Sequence, residues 1–433
     1  MEAHTEPSPC EVTVVIPSKN EAANLRQLLP ALNEALASMD VSHEVLVVDA
    51  ESPDGTGEVA IEHGARHIPE PTPGYGAAIL RGLREARGEY VITMDADLSH
   101  PARFIQELYA VRGEADIIIA SRYVPGGAAE QPAMRLFLSQ VLNAFFRFGL
   151  SMHVRDMSSG FRLYHRSVFQ KVQPSFTNFV VLVEILLLAL KHGKTFKEIP
   201  FHYQPRGEGR SNAQVVQFGL DYLRLFYRMW RIRNSVSFPD YDWRAHDSRI
   251  PLQRYWQRRR FHLILKFTPP HVSTADIGCG SSKILAALPH AVGVDMRFDK
   301  LSFMRKTNRL LVQGNGMRLP FPDEAFECVI SSQVLEHIPD EDGKFIDELT
   351  RILKPGGILV LGTPDYGNWE WRVMERLYDL AAPGAYAEEH VTHYTYISLK
   401  EALIRRGYEI LEHAYILRGE LIFKARKTNR WFD

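Results

Sequence analysis

The 433-residue chain has no apolar run of the ~20 residues that a bilayer-crossing helix needs. Its longest, FVVLVEILLLAL at 179–190, is interrupted by Glu184. An integral membrane protein is therefore not expected, and a peripheral one stays open. Cysteine is scarce: Cys10, Cys279 and Cys328 show no paired spacing. That excludes a disulfide framework and points to a reducing, cytoplasmic compartment. No excess of one charge exists, since 51 Lys and Arg meet 52 Asp and Glu. A bulk polycation for nucleic acid is thus excluded. The first residues, MEAHTEPSPCE, lack the apolar core of a signal peptide. No internal repeat and no long low-complexity tract is visible. What is present is ordinary for a folded chain: 45% hydrophobic and 24% charged residues, at a length suited to two or three domains.

Residues 12–122 alternate strand and helix signals. Val12–Ile16 and Val45–Val48 are apolar, β-branched strands. Leu25, Leu28, Leu29, Leu32 and Leu36 fall at helical spacing between them. Gly74-x-Gly76 opens a further helix, and Tyr90–Thr93 and Ile117–Ala120 are further strands. This is the rhythm of a mostly parallel α/β sheet. A second series begins near 272, with strands at 273–277, 292–295, 326–331 and 358–362. The expected division is a first domain over 1–235, a polar connector over 236–260 and a second domain over 261–433. Residues 215–233 form an amphipathic helix with Arg224, Arg228 and Arg231 on one stripe. Such a helix either packs on its own domain or lies on anionic lipid.

One strand ends unusually. VITMDADLSHP carries Asp95 and Asp97 directly after a β-branched run, and alternate strand residues share a face. Two carboxylates so close favour a cation between them, and oxygen ligands suit Mg²⁺ or Mn²⁺. Asp-x-Asp recurs at Asp240/Asp242 and Asp340/Asp342. At least two of the three pairs are expected to be plain surface pairs.

Six stretches then occur in order: VVIPSKNEAANL, VLVVDAESPDGTGEVA, GYGAAILRGLREARGEY, MDADLSHP, ASRYVPGG and RDMSSGFRLYHRSVF. Together they resemble a family 2 glycosyltransferase of GT-A fold, most closely the dolichyl/polyprenyl-phosphate sugar synthases, over about residues 10–235. The resemblance implies a nucleotide-sugar donor, GDP-mannose favoured, and a polyprenyl phosphate acceptor at the membrane surface. It implies that Asp95 and Asp97 bind the divalent cation, with Ser99 at a third ligand's position. Pro17, Asn20 and Glu21 would shape the nucleotide pocket, and Asp49 would meet the base or ribose. Ala50 stands where relatives usually have a second aspartate. Arg122, Arg135 and Ser139 match the acceptor-phosphate positions. Arg206, with Arg210 and Ser211, reads as a lid over the pyrophosphate or as a basic surface turn. A phosphate acceptor is largely a dianion at neutral pH and needs no general base. A hydroxyl acceptor would need one, and Asp156 is the candidate. Otherwise Asp156 organises the acceptor site alongside Arg162.

In the second series TADIGCGSS runs a strand into a glycine turn, and Asp295 follows Asp276 by 19 residues. With GNGMRLPFPDEAFECVISSQVLEHI and LTRILKPGGILVLGTPD, it resembles a Rossmann-like class I S-adenosylmethionine-dependent methyltransferase, over about 245–427. By that resemblance Gly278, Gly280 and Asp276 meet the methionine end of the cofactor, Asp295 the ribose, and Asn315 and Met317 the adenine. A dinucleotide-binding Rossmann domain is the runner-up, with Ser282 in place of its third glycine. The methyl acceptor is not legible. Glu336, His337, His390 and His393 lie in suitable segments, though each histidine alone reads as structural. The expectation is thus a bifunctional enzyme of two α/β domains. The alternatives are sugar transfer to a hydroxyl, and a second domain that binds its cofactor without turnover.

Overall fold

A computed structural model describes residues 10–130, 133–203, 215–339, 343–381 and 390–428, without the side chains of 133, 135, 215–218 and 377–381. The chain divides into two compact units, Met1–Trp230 and Arg231–Asp433.

The first unit is built on strands β1 (Val12–Ser18), β2 (His43–Asp49), β3 (Arg66–Pro69), β4 (Tyr90–Thr93), β5 (Ile117–Ser121), β6 (Ala128–Ala129), β7 (Arg162–His165), β8 (Phe196–Pro200) and β9 (His202–Tyr203). Seven form one sheet in the order β3-β2-β1-β4-β7-β5-β8, and β6 and β9 pair as a short ribbon. Only β7 runs antiparallel to its neighbours. All seven residues of β1 are buried. Helices cover both faces of such a sheet, so its inner strands read as continuous apolar runs rather than alternating ones. Register then sets the site. Ser18 lies opposite Asp49, and Val15 opposite Thr93, so β1, β2 and β4 end along one edge. The loops leaving that edge carry Asn20, Ser52 and Asp95.

The apolar run at 179–190 is a core helix, Val181–Lys191. Its Glu184 is fully buried. That carboxylate accepts from the Ser175 and Phe176 amides and the Ser175 hydroxyl, and pairs with Arg228 at 3.1 Å. Burial is tolerable because every partner is a donor or a cation. Arg228 thus spends its charge on a buried carboxylate while staying half-exposed, whereas the more exposed Arg224 pairs with Asp221, which splits the expected arginine stripe. Helix Val215–Arg233 packs through Phe226 on Phe145 and Phe146 of helix Ala133–Gly149.

The second unit contains β10 (Thr274–Ile277), β11 (Ala291–Asp295), β12 (Leu310–Gln313), β13 (Phe326–Ser332), β14 (Leu353–Pro364), β15 (Tyr408–Ile416) and β16 (Glu420–Lys427). Their order is β12-β11-β10-β13-β14-β16-β15. β16 is antiparallel to both neighbours. This is the methyltransferase-like α/β architecture, as the first unit is the GT-A-like one. Helices Tyr241–His246 and Pro251–Phe267 precede the sheet, and Trp256, Leu263, Ile264 and Phe267 are buried against it.

One expectation is corrected. Asp240 and Asp242 are not a surface pair. Asp240 is buried and accepts two hydrogen bonds from Arg233, with Arg244 at 3.0 Å. Asp242 accepts from Ser281 in the glycine turn. Adjacent arginines account for the burial of Asp240, and Ser281 with Lys300 for the partial burial of Asp242, where spacing alone suggests solvent. Asp340 and Asp342 lie outside the described residues.

Candidate active sites

Asp95 and Asp97 leave the end of β4 already supported from behind. The Tyr75 hydroxyl donates to Asp95 Oδ1 at 2.9 Å, and the Asp95 amide donates to His100 Nδ1 at 2.9 Å. His100 is itself buried and stacked on Phe161. A Cβ at Gly160 would stand 2.5 Å from the Tyr75 oxygen, so only glycine leaves room for that support. The Ser99 amide and hydroxyl both donate to Asp97 Oδ1. Asp97 and Ser99 are buried while Asp95 is partly exposed. Carboxylates oriented by neutral donors fit a hard divalent cation. Tyr75 and His100 stand in quoted stretches, but their contacts with Asp95 are not legible there, since Tyr75 reaches it through the fold and His100 through the tight turn of the loop.

The donor-pocket residues meet at the same edge. Pro17 is buried and Asn20 is exposed in a left-handed conformation, φ 57°. The Asn20 amide donates to Ser52 Oγ, and both the Ser52 amide and hydroxyl donate to Asp49. Glu21 accepts from the Asn24 amide nitrogen. Arg206 lies outside the described residues, as do Arg210 and Ser211.

Beyond β5 stands a second cluster. Arg122 grips the fully buried Asp156 with Nε at 2.8 Å and Nη2 at 2.7 Å, and its amide adds a third bond at 3.0 Å. Its Nη2 also reaches Ser158 Oγ, while Nη1 has no hydrogen-bond partner among the described residues. Burial pushes the Asp156 carboxyl up, but the Arg122 charge and hydrogen bonds outweigh it and hold the group below the usual carboxylate range. Arg122 faces a cleft of about 410 Å³ that Asn143, Arg147 and Arg155 also line. Neither Arg147 nor Arg155 forms an ion pair among the described residues. Ser139 accepts from the Tyr123 hydroxyl at 2.8 Å and so stands beside the cleft. The side chain of Arg135 lies outside the described residues. Arg162 is fully buried and donates to the Leu182 and Met157 carbonyls, which makes it structural. Arg147 belongs to no quoted motif, and Arg155 opens the quoted RDMSSGF stretch without a role being legible there.

In the second unit the glycine turn closes on β11. The Gly278 and Cys279 amides donate to the Val294 carbonyl, and the Gly280 amide donates to Asp295 Oδ2 at 2.8 Å. Gly278 has φ 75°, and a Cβ there would lie 2.1 Å from Val334. Asp295 Oδ1 also holds the Arg297 amide. Asp276 is buried, its Oδ2 lacks a partner among the described residues, and burial with the nearby Asp295 charge raises its pKa to about 7. An unpartnered buried oxygen at a glycine turn fits an ammonium-bearing ligand, as the methionine end of S-adenosylmethionine is. Exposed Asn315 accepts from the Met317 amide and shapes that turn. Asp242, which accepts from Ser281, belongs to this site's scaffold, a role its Asp-x-Asp spacing does not reveal.

Residues 13–173 match the glycosyl transferase family 2, and residues 275–361 match a methyltransferase domain. Over 238 residues the chain is 34% identical to a dolichol-phosphate mannosyltransferase of Pyrococcus furiosus, covering 52% of this chain and 66% of that protein. Over 213 residues it is 35% identical to a polyprenol monophosphomannose synthase of Mycolicibacterium smegmatis, covering 46% of this chain and 79% of that one. A glucosyl-3-phosphoglycerate synthase of Mycobacterium tuberculosis, solved with Mn²⁺, uridine diphosphate and glucosyl-3-phosphoglycerate, is 20% identical. It covers 52% of this chain and 80% of that one, with a TM-score of 0.40.

Proposed function

The chain belongs to the glycosyl transferase family 2, and from that membership we propose that its first unit moves a hexosyl group from a nucleotide sugar to a polyprenyl or dolichyl phosphate. GDP-mannose is the favoured donor, and the anomeric carbon inverts. The observation that carries this is the Arg122–Asp156 pair. Asp156 is the residue a hydroxyl acceptor would need as a base, yet it is buried, ionised and locked by a guanidinium. Arg122 keeps Nη1 for the cleft it shares with Arg147 and Arg155. Three arginines around one cleft suit a dianion, and guanidinium geometry matches phosphate oxygens. The acceptor then attacks as it binds, and the protein's task is positioning and charge screening.

Asp95 and Asp97 are the residues that would hold Mg²⁺ or Mn²⁺, with Ser99 keeping Asp97 in place. That cation would neutralise the donor's diphosphate. Pro17, Asn20, Glu21 and Asp49 line the donor side, and Arg206 would close over it. The lipid is met at a surface. Met134, Phe137, Leu138, Val141, Phe145 and Phe148 are 43–69% exposed on helix Ala133–Gly149. They recur every three or four residues, so they form one apolar face, next to the arginine cleft that the same helix lines. Among the described residues no helix is long and apolar enough to cross a membrane.

The second unit, on this reading, binds S-adenosylmethionine through Asp276, Gly278, Gly280, Asp295, Asn315 and Met317, and methylates the sugar product or a related intermediate. Fusion raises the effective concentration of one unit's product at the other. The test is mass spectrometry of the lipid extract after one incubation of purified protein with Mg²⁺, a polyprenyl phosphate, GDP- and UDP-sugars and S-adenosylmethionine. A lipid-phosphate hexose is the expected product. Nucleotide release without any glycolipid would overturn the phosphate acceptor and turn attention to hydroxyls.

A further inference from the structure

The second unit gathers a cluster that neither motif set assigns. Glu336 and His337 lie on a short 3-10 turn, Leu335–His337, just past the end of β13. The Glu336 carbonyl accepts from the Val391 amide at 2.8 Å and the Thr392 amide at 3.2 Å. That clamp brings His390 against the turn from far along the chain. One donor atom from each of Glu336, His337 and His390 lies within 4.8 Å of the other two. The imidazole rings stand 4.9 Å apart.

Glu336 supplies an independent sign that something is bound here. It is fully buried, and its Oε2 accepts from the Thr363 hydroxyl at 3.2 Å. Its Oε1 has no hydrogen-bond partner among the described residues. No Lys or Arg among them pairs with it. A buried carboxylate oxygen left so costs free energy, and a cation from solution removes that cost. The histidine side is equally prepared. His390 Nδ1 lies 2.7 Å from the Tyr366 hydroxyl and 3.5 Å from Glu375. Metal-binding histidines characteristically have their second nitrogen held this way.

We propose that Glu336, His337 and His390 bind a divalent transition-metal ion whose open positions take a hydroxyl oxygen of the methyl acceptor. Two imidazoles and one carboxylate form the donor set of open catalytic zinc and non-haem iron sites, and are too nitrogen-rich for Mg²⁺ or Ca²⁺. Three protein ligands leave room for substrate. The place also suits the role: Val334, two residues before Glu336, is the side chain that fills the space beside Gly278 in the cofactor turn. A coordinated hydroxyl gives its proton to water more readily. Its oxygen then forms the O–CH₃ bond as the S–CH₃ bond breaks, and that electron pair stays on sulfur as the neutral thioether. The acceptor half of this inference rests on the methyl-transfer reading above; the cation site does not.

The test is titration of the chelator-stripped full chain with Co²⁺, read by visible absorption and bound-metal analysis. An imidazole-type band that saturates at one equivalent is expected, kept in Asp97→Asn and lost in Glu336→Gln and His390→Asn, apart from any Co²⁺ held by oxygen ligands at Asp95 and Asp97. S-adenosylmethionine binding reports whether those variants are folded. Tyr366→Phe should weaken the site by about tenfold. X-ray absorption of the Zn²⁺-loaded wild type needs no variant. A shell with two imidazoles supports the site, and an oxygen-only shell, or a band indifferent to Glu336→Gln, overturns it. In a hydroxyl-acceptor panel, the metal-stripped protein should bind S-adenosylmethionine yet lose methyl transfer until Zn²⁺ or Co²⁺ is restored. Methyl transfer unchanged by stripping would overturn the acceptor role and leave the binding site standing.

Discussion

At the scale of single residues, charge decides most. Arg122 and Asp156 are a buried, bidentate pair, so each protects the other from an uncompensated charge. Asp156→Asn should destabilise the first unit by about 3–5 kcal/mol, as breaking a buried pair does. The pH dependence follows from the sign of the shift. The Asp156 carboxyl is held below its ordinary value. Its contribution is therefore present above the unfolded carboxyl's ~3.9 and is lost as pH falls through the lower folded value. Hydrogen exchange over residues 117–165 should rise below about pH 4 in the wild type, and Asp156→Asn should flatten that rise. Arg122→Lys keeps the charge but not the fork, and should lower kcat/KM for polyprenyl phosphate by about 10²-fold. Asp97→Asn should cost sugar transfer at least as much and abolish its dependence on added Mg²⁺ or Mn²⁺.

Asp276 works in the opposite sense. Burial and the Asp295 charge raise its pKa to about 7. Between about pH 4 and pH 7 the unfolded carboxyl has released its proton while the folded one keeps it. Asp276's contribution to the second unit should thus fall as pH rises through that window and be gone above it. Trp243, Trp256, Trp369 and Trp371 all lie in this unit, so the urea midpoint of tryptophan fluorescence reads the trend. Asp276→Asn should remove this carboxyl's share of the slope.

At the scale of elements, helices that look alike in sequence part company. The apolar run at 179–190 becomes an interior helix, whereas Ala133–Gly149 keeps an apolar face in solvent. Exposed apolar side chains of that number on one face mark an interaction surface. Replacing Phe137 and Leu138 with glutamate should leave folding nearly untouched, since neither is buried. The same pair should cut co-sedimentation with anionic vesicles and raise KM for the long-chain acceptor but not for a short water-soluble one. Strand ends, by contrast, were readable. β1, β2, β4, β10, β11 and β13 all finish in loops that carry candidate residues, because open α/β sheets expose their carboxyl edges to ligands.

At the scale of the whole molecule, two α/β units occupy one chain, each with its own sheet and core. If they act in sequence, the lipid-phosphate hexose should gain a single methyl group when S-adenosylmethionine is present. That second product should vanish in Gly278→Ala, whose Cβ would collide with Val334, while the unmethylated glycolipid persists. A methylated product that appears without any glycolipid intermediate would place the two activities on separate substrates.

The two α/β units and the family were legible in the sequence, because strand periodicity, glycine turns and ordered motifs are written in neighbouring residues. Asp95/Asp97 stood out for the same reason: a β-branched run points both carboxylates out of one strand end. Asp240 and Asp242 show the limit, since the same spacing suggests a surface pair, yet Arg233 and Arg244 bury Asp240 and Ser281 and Lys300 partly cover Asp242. Only the tertiary structure decided what meets across the chain. It joined Arg122 to Asp156, set Arg147 and Arg155 around one cleft, aimed Tyr75 and His100 at Asp95, and brought His390 to Glu336. Those contacts depend on strand register and on which side of a helix is covered, and local sequence specifies neither.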